Sequence, residues 1–161
     1  MTADDASAAL SAAGERQPLD AEGRERAALI ARGVGRLFAD MGLSSLGELT
    51  LANGRRVDIC ALDGAGHLLF VEIKSSLADF RADQKWETYR EYCDQLFFAV
   101  PVEFPREVLP DDTGIILADR YGAEILRDAP WHSVSAARRK AVMLRFAHVA
   151  AERLRRLLDP V

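Results

Sequence analysis

The sequence predicts a mixed α/β fold in which one helix precedes three antiparallel strands and a second helix leads into a buried strand. Three observations predict it: apolar residues at helical spacing over 22–41, turn signals that separate three strand-like segments, and a continuous apolar run at 96–100. A hairpin group followed by a helical crossover into a buried strand gives a mixed sheet flanked by helices.

The first predicted helix covers residues 22–41 and is followed by Gly42, a natural stop. Its apolar positions repeat at helical spacing: Ala27, Ile30, Val34, Leu37, Phe38 and Met41. Residues 1–21 lack such a pattern and are interpreted as a flexible tail. The remaining residues, 22–161, are then one domain, since domains typically contain roughly 100–200 residues.

Three strands are predicted at residues 46–51, 56–62 and 67–73. Asn53-Gly54 separates the first two, and Asp63-Gly64-Ala65-Gly66 separates the second from the third. These turns predict an antiparallel meander.

The second half of the chain begins with a predicted helix that Asp79 or Asp83 caps and that carries Trp86, Tyr89, Tyr92 and Cys93. The run at 96–100 predicts a strand buried on both faces, and short strands are predicted at 114–118 and 123–126. A long final helix is predicted to begin near Ser133 or Ser135. We expect its core face to be the stripe of Ala137, Ala141, Leu144, Ala147, Ala151, Leu154 and Leu158.

The composition, with 49% apolar and 29% charged residues, favours a globular protein. No segment has the roughly 20 apolar residues that span a bilayer, and Asp4 and Asp5 stand where a secretory signal carries basic residues, so we expect a cytoplasmic protein. Cys60 and Cys93 are too few for a four-thiolate metal site, so we expect reduced, partly buried thiols.

The charge is unevenly distributed along the chain. The net charge is −4, but residues 132–161 carry +5, which leaves −9 on the rest. Such a basic arm fits local contact with phosphate groups, and a solvated helix face explains it equally well. The candidate nucleic-acid-binding residues are Arg138, Arg139, Lys140 and Arg145.

The candidate catalytic residues are Asp58, Glu72 and Lys74, which lie on two neighbouring predicted strands. Side chains alternate along a strand, so Glu72 and Lys74 are expected on one face. If residues 64–66 form a three-residue loop that pairs Asp63 with His67, Asp58 falls directly opposite Glu72. Facing positions place Cβ atoms about 4.5–5.5 Å apart, where two carboxylates repel unless a cation lies between them.

A hard divalent ion would remove this repulsion, and oxygen ligands favour Mg²⁺ or Mn²⁺ over zinc. The predicted metal ligands are Asp58, Glu72 and the Ile73 carbonyl. Lys74 could then hold a water or stabilise charge on a phosphate. The alternative from spacing alone is an exposed salt-bridge ladder on a polar sheet face.

A resemblance favours the catalytic interpretation. An acidic residue on one strand and Glu-x-Lys on the next, in a helix, three strands, helix, strand order, resembles the PD-(D/E)XK nuclease superfamily, with Val57 where its name expects Pro. Within that superfamily, the chain looks like the MmcB-type DNA repair proteins. The residues that carry this likeness are Val71-Glu72-Ile73-Lys74-Ser75-Ser76, Asp79, Asp83, Lys85-Trp86, Tyr89, Tyr92-Cys93-Asp94 and Phe97-Phe98-Ala99-Val100-Pro101. The resemblance implies a restriction-endonuclease-like core, a DNA substrate and a role in DNA repair, with Asp58, Glu72 and Lys74 in the catalytic positions.

Three further residues are candidate auxiliary groups. Lys85 and Tyr89 are four apart, hence neighbours on one helical face, and are similar to the Gln and Tyr that some superfamily members place beside the metal. A phosphate contact or a surface pair is the alternative for them. Ser76 is a weaker candidate for a phosphate contact, and Trp86 is expected in the core.

The sequence therefore predicts a Mg²⁺- or Mn²⁺-dependent endonuclease that acts on DNA in repair, with RNA as an open alternative substrate. The competing hypothesis is a catalytically silent DNA-binding or recruitment module that keeps the nuclease fold. The small core also favours a homodimer or a DNA repair partner protein.

Overall fold

The computed structural model describes residues 18–161, so the expectation of a flexible tail falls mainly outside the described residues. The strands are β1 (Ser44–Thr50), β2 (Arg56–Leu62), β3 (Leu68–Ile73), β4 (Gln95–Val100), β5 (Gly114–Ala118) and β6 (Ala123–Arg127). The helices are α1 (Ala21–Asp40), α2 (Leu77–Ala82) and α3 (Ala136–Leu158), with 3₁₀ segments at Lys85–Tyr92 and Arg106–Val108.

All six strands form one sheet in the order β1-β2-β3-β4-β5-β6. The first three strands are antiparallel, β4 runs parallel to both β3 and β5, and β6 returns antiparallel to β5. The parallel step from β3 to β4 is made by α2 and the longer 3₁₀ segment. The predicted mixed sheet flanked by helices is confirmed.

One face of the sheet is covered by α1. Asp20 caps this helix by accepting a hydrogen bond from the Gly23 N–H, and the helix buries Ile30, Val34 and Phe38. These side chains pack on residues 59 and 61 of β2 and on the odd-numbered residues of β3. Val57, at the start of β2, belongs instead to the cluster on the opposite face.

The opposite face is covered by the 3₁₀ segment Lys85–Tyr92 and by α3. Trp86 and Tyr89 pack with Phe70, Phe98 and the buried side chains of α3. Glu72 alternates with Val71 and Ile73 and therefore lies on this second face. The Glu72 side chain is consequently covered by the 3₁₀ segment rather than by α1.

The predicted second helix is divided into two pieces. Ser76, and not Asp79 or Asp83, caps α2 by accepting a hydrogen bond from the Asp79 N–H. The backbone then leaves the helix at Asp83, which has φ −124° and ψ 111°, before the 3₁₀ segment begins. Asp83 accepts a hydrogen bond from the Lys85 N–H at the start of that segment. The single helix expected here is therefore wrong, although Trp86 is in the core as expected.

The predicted core face of the last helix is also wrong. The helix begins after its cap Ser135, as expected, but it buries Val142 and Phe146. All seven residues of the predicted stripe, Ala137, Ala141, Leu144, Ala147, Ala151, Leu154 and Leu158, are exposed.

Two smaller expectations concern the thiols and membrane spans. Cys60 and Cys93 are free and fully buried, and burial raises the pKa of the Cys60 thiol to about 12. Within residues 18–161, no helix combines the length and the apolar character needed to cross a bilayer.

Candidate active site

The two predicted acidic residues lie opposite each other on β2 and β3. Ile59 pairs with Val71, and the Asp63 N–H donates to the His67 carbonyl, which is the register that brings Asp58 opposite Glu72. The side chains also bridge the strands, because the Asp58 N–H donates to Glu72 Oε1 at 3.2 Å. The expected register is confirmed.

The ladder between β2 and β3 ends at this point. Its paired residues stop at Ile59 and Val71, and the Ile73 N–H donates to the Asp58 side chain at 2.8 Å instead of to a carbonyl of β2. The N–H and C=O of one strand residue point to the same side. The Ile73 carbonyl therefore faces the gap that Asp58 occupies, which is where the sequence predicted a third metal ligand.

Lys74 follows β3 and lies beside Glu72. Its Nζ is 3.7 Å from Glu72 Oε2 and donates to Asp83 Oδ2 at 2.7 Å, and neither Lys74 nor Glu72 has any exposed surface. Glu72 and Lys74 thus share one face of the strand, as predicted. The salt-bridge interpretation is right about the ion pair and wrong about its exposure.

Asp83 is the site residue that sequence reasoning missed. Its side chain is 4% exposed and joins Lys74 to the start of the 3₁₀ segment, through Oδ2 and Oδ1 respectively. Asp83 is among the motif residues of the resemblance, but nothing placed it beside Lys74, because eight residues and a predicted helix start lie between the two. The four charged residues Asp58, Glu72, Lys74 and Asp83 will be called the charged centre.

A groove adjoins the charged centre. It has a volume of about 580 Å³ and is lined by the β1–β2 turn on one side and by Asp83, Lys85 and Tyr89 on the other. The Tyr89 hydroxyl donates to the Arg56 carbonyl at 2.9 Å, which ties the 3₁₀ segment to the start of β2. Lys85 and Tyr89 are therefore brought together near Asp83.

Basic side chains line the groove beside Lys85. Arg55 and Arg56 come from the β1–β2 turn, and both lie in the lining. The Nη1 atom of Arg55 is buried without a hydrogen-bond partner among the described residues. Arg56 makes an exposed ion pair with Glu48 at 3.6 Å. The groove thus combines cations with access to Asp83.

Ser76 does not join this groove. Its hydroxyl accepts the cap hydrogen bond of α2, and the residue lines a separate cavity of about 340 Å³ beside the first turn of α1. The structure therefore separates Ser76 from Lys85 and Tyr89.

The predicted nucleic-acid-binding residues of α3 are largely bound to the protein itself. Arg138 pairs with Glu91 at 3.2 Å, and Arg145 donates to the Thr50 carbonyl. Arg139 makes two hydrogen bonds to Asp94, at 2.6 and 2.7 Å. Lys140 is exposed on the outer side of the helix.

The pKa of Asp94 reflects its contact with Arg139. Burial pushes this pKa upward, but the hydrogen bonds from Arg139 and the Leu68 N–H, with the charge of Arg139, outweigh burial and lower it. Arg139 therefore acts as an anchor between α3 and the start of β3.

Asp58, Glu72 and the neighbouring Ile73 carbonyl are the groups that could hold a Mg²⁺ ion at this site. Within residues 18–161, no three His, Cys, Asp or Glu side chains are clustered to hold a metal. Mg²⁺ is usually bound through one or two carboxylates and keeps several waters. Asp58, Glu72 and the Ile73 carbonyl are a donor set of this kind.

Comparisons with known proteins agree with the motifs. Residues 15–161 match the model of the MmcB-like family, described as DNA repair protein MmcB-like. The chain belongs to this MmcB-like family. A solved structure, described as SPO1766 protein of unknown function from Silicibacter pomeroyi, is similar to it at 46% identity and a TM-score of 0.80. That match covers 88% of this chain and 95% of the other. No curated protein matches the sequence.

Membership of the MmcB-like family suggests a role in DNA repair. The sequence resemblance is thereby confirmed for the family.

Proposed function

We propose that this MmcB-like protein is a metal-dependent endonuclease that hydrolyses DNA phosphodiester bonds in repair. The observation that carries the proposal is the placement of Asp58 opposite Glu72, with Lys74 beside Glu72, where β2 and β3 separate. Two carboxylates at a strand end can hold an ion that activates a water, and an adjacent lysine can stabilise charge on a phosphate.

Each residue of the charged centre has a separate role in this proposal. Asp58, Glu72 and the Ile73 carbonyl would hold Mg²⁺ or Mn²⁺. When bound, the ion would polarise a phosphate oxygen and lower the pKa of a bound water. Lys74 would donate a hydrogen bond to a phosphate oxygen and stabilise its developing charge. Asp83 would fix the position of the Lys74 ammonium.

The substrate would approach through the groove. Asp58 is the half-buried member of the charged centre, whereas Glu72 and Lys74 are enclosed. Arg55, Arg56 and Lys85 would bind phosphates on either side of the scissile bond, because they line the groove beside Asp83. Tyr89 would hold the groove wall through its hydrogen bond to the Arg56 carbonyl.

A second candidate function is a catalytically silent DNA-binding or recruitment module. One observation favours it: Lys74 is fully enclosed and its ammonium donates to Asp83 at 2.7 Å. A lysine held in this way can serve as a structural charge without contacting a phosphate.

Metal titration with a nicking assay tests the proposal. We would titrate Mg²⁺ and Mn²⁺ by calorimetry into the wild type, Asp58→Asn and Glu72→Gln, with Glu48→Gln as the control on the neighbouring strand. The proposal expects metal binding in the wild type and the control and its loss in both other variants. The wild type should also nick at least one of branched, damaged or single-stranded DNA.

The same experiment separates the alternatives. DNA binding without metal binding or nicking would reject the endonuclease and favour the recruitment module. Cleavage of RNA without cleavage of any DNA would support the same hydrolysis at the charged centre, with RNA as the substrate. Metal binding that survives both Asp58→Asn and Glu72→Gln would show that the charged centre is not the metal site.

A further inference from the structure

The C-terminal helix carries an apolar stripe that faces away from the protein. The stripe consists of Leu144, Ala147, Ala151, Leu154 and Leu158, and its spacing of three and four residues alternates as in a heptad repeat. Its leucines are 61%, 56% and 78% exposed in chain order. Leu157, beside the stripe, is 81% exposed and widens it.

Arginine side chains of α3 make several of the contacts that hold this helix against the sheet. Arg139 binds Asp94, Arg145 donates to the Thr50 carbonyl, and Arg153 donates to the carbonyls of Gly47 and Glu48. These contacts, with buried Val142 and Phe146, fix which side faces inward. A helix normally places its apolar stripe against a core, so the outward stripe lacks its packing partner within the described residues.

The order of residues in the stripe is self-complementary. When a second α3 runs antiparallel so that position 151 faces 154 of the other helix, position 147 faces 158. Leu154 and Leu158 then each lie opposite an alanine, which is how large and small side chains interdigitate between helices, and Leu144 lies beyond the last turn of the partner's helix. An interface between identical chains requires such complementarity of a surface with itself.

The parallel arrangement is disfavoured by charge. Continuing the heptad toward the N-terminus of α3 places Lys140 in the same stripe. In a parallel pair, Lys140 would face Lys140 of the other copy. The antiparallel pairing leaves Lys140 beyond the end of the partner's helix and also opposes the two helix dipoles favourably.

We infer that residues 147–158 of the α3 stripe bind the same residues of a second copy, antiparallel, and that the protein is a homodimer. This assignment is independent of the proposed nuclease activity. The stripe shares no residue with the charged centre or with the lining of the groove, so either can fail without the other.

The first test is the oligomeric state of the full chain. Sedimentation equilibrium should give a dimer for the wild type at tens of micromolar. Leu154→Glu should raise the dimer dissociation constant by roughly 100-fold or more, since it places an unpaired carboxylate in the seam. Leu126→Glu, at a 48% exposed leucine on β6, is the matched control and should remain a dimer. Unchanged circular dichroism would show that the variants fold.

The second test measures the direction of the pair with single cysteines and a short bifunctional thiol reagent. Ala151→Cys should be cross-linked, because the two positions 151 lie about three residues, or ~4.5 Å, apart along the axis. Ala147→Cys should not, because its two positions are about eleven residues, or ~16 Å, apart. Cys60 and Cys93 are buried and will not compete.

Two outcomes would overturn the inference. A monomeric wild type over this concentration range rejects the dimer, and the stripe then belongs to a different partner. Equal cross-linking of Ala151→Cys and Ala147→Cys rejects the antiparallel pairing, because a parallel pair places both positions next to their counterparts.

Discussion

Lys74 is enclosed without exposed surface, and its charge is balanced by Asp83 at 2.7 Å and Glu72 at 3.7 Å. Removing water from a lysine costs several kcal/mol, which the neighbouring carboxylates must offset. Glu72 also accepts a hydrogen bond from the Asp58 N–H. The closer contact to Asp83 therefore provides most of the compensation that keeps Lys74 in place.

Asp83→Asn should destabilise the fold by about 3 kcal/mol, because it removes the nearest negative charge from an enclosed lysine. The matched control is Asp79→Asn, another buried aspartate, whose side chain accepts hydrogen bonds from the Ser75 N–H and hydroxyl. We expect the control to cost only about 1 kcal/mol, the range of a hydrogen bond. Urea unfolding at neutral pH measures the free energy of unfolding of both variants. Equal losses of stability would show that Asp83 does not offset the charge of Lys74.

The charged centre was only partly predictable from sequence, for a physical reason. The β2–β3 turn is short, and its loop length fixes the register, so the position of Asp58 opposite Glu72 followed from counting residues. Asp83 reaches Lys74 only because the backbone leaves the helix after Ala82. The change from α-helix to 3₁₀ helix leaves no distinct apolar period in the sequence. The contact between Asp83 and Lys74 could therefore not be inferred from it.

At the scale of elements, α1 lies unusually close to the β5–β6 turn. A Cβ built on Gly33 would be 2.4 Å from the Asp119 carbonyl oxygen and 2.5 Å from that of Gly122. Arg36 strengthens the same contact by donating to the Arg120 carbonyl. The missing side chain at Gly33 thus permits the helix to reach the far edge of the sheet.

Gly33→Ala should destabilise the protein by at least about 3 kcal/mol, because backbone atoms and not flexible side chains oppose the added methyl group. Gly35 provides a control in the same helix, since nothing lies within 4 Å of its Cβ position. Gly35→Ala should stabilise by up to about 1 kcal/mol through helix propensity. Thermal unfolding should therefore shift in opposite directions, and a shift of the same sign in both variants would contradict the close contact.

The bounds of α3 were predicted well, but its orientation was not. The helix has two apolar sets: the outward stripe, and the inward Val142, Phe146 and Val149. Periodicity identifies both and does not choose between them. Which set faces inward depends on arginines of α3 that bind carboxylates and carbonyls of other elements, such as Arg139 with Asp94. Such long-range contacts have no local sequence signal.

At the scale of the whole molecule, the distribution of charge indicates which surface would bind DNA under the proposed function. The chain has a net charge of −4, so binding must depend on a local cluster of cations. Arg138 and Arg139 are neutralised by Glu91 and Asp94. The groove retains Arg55 and Lys85 beside the charged centre. The groove is therefore the better candidate for phosphate contacts than α3.

The salt dependence of DNA binding tests this choice of surface. On duplex DNA, the slope of log Kobs against log salt concentration is negative, and its magnitude falls by about 0.9 for each phosphate that a variant no longer neutralises. We expect a fall of about 0.9 for Arg55→Ala and for Lys85→Ala, and no change for Lys140→Ala, which removes an exposed cation of α3. Fluorescence anisotropy between about 50 and 200 mM salt, the range over which such binding weakens, measures the slopes. A fall confined to Lys140→Ala would place DNA on the C-terminal helix, where the basic segment of the sequence first suggested it.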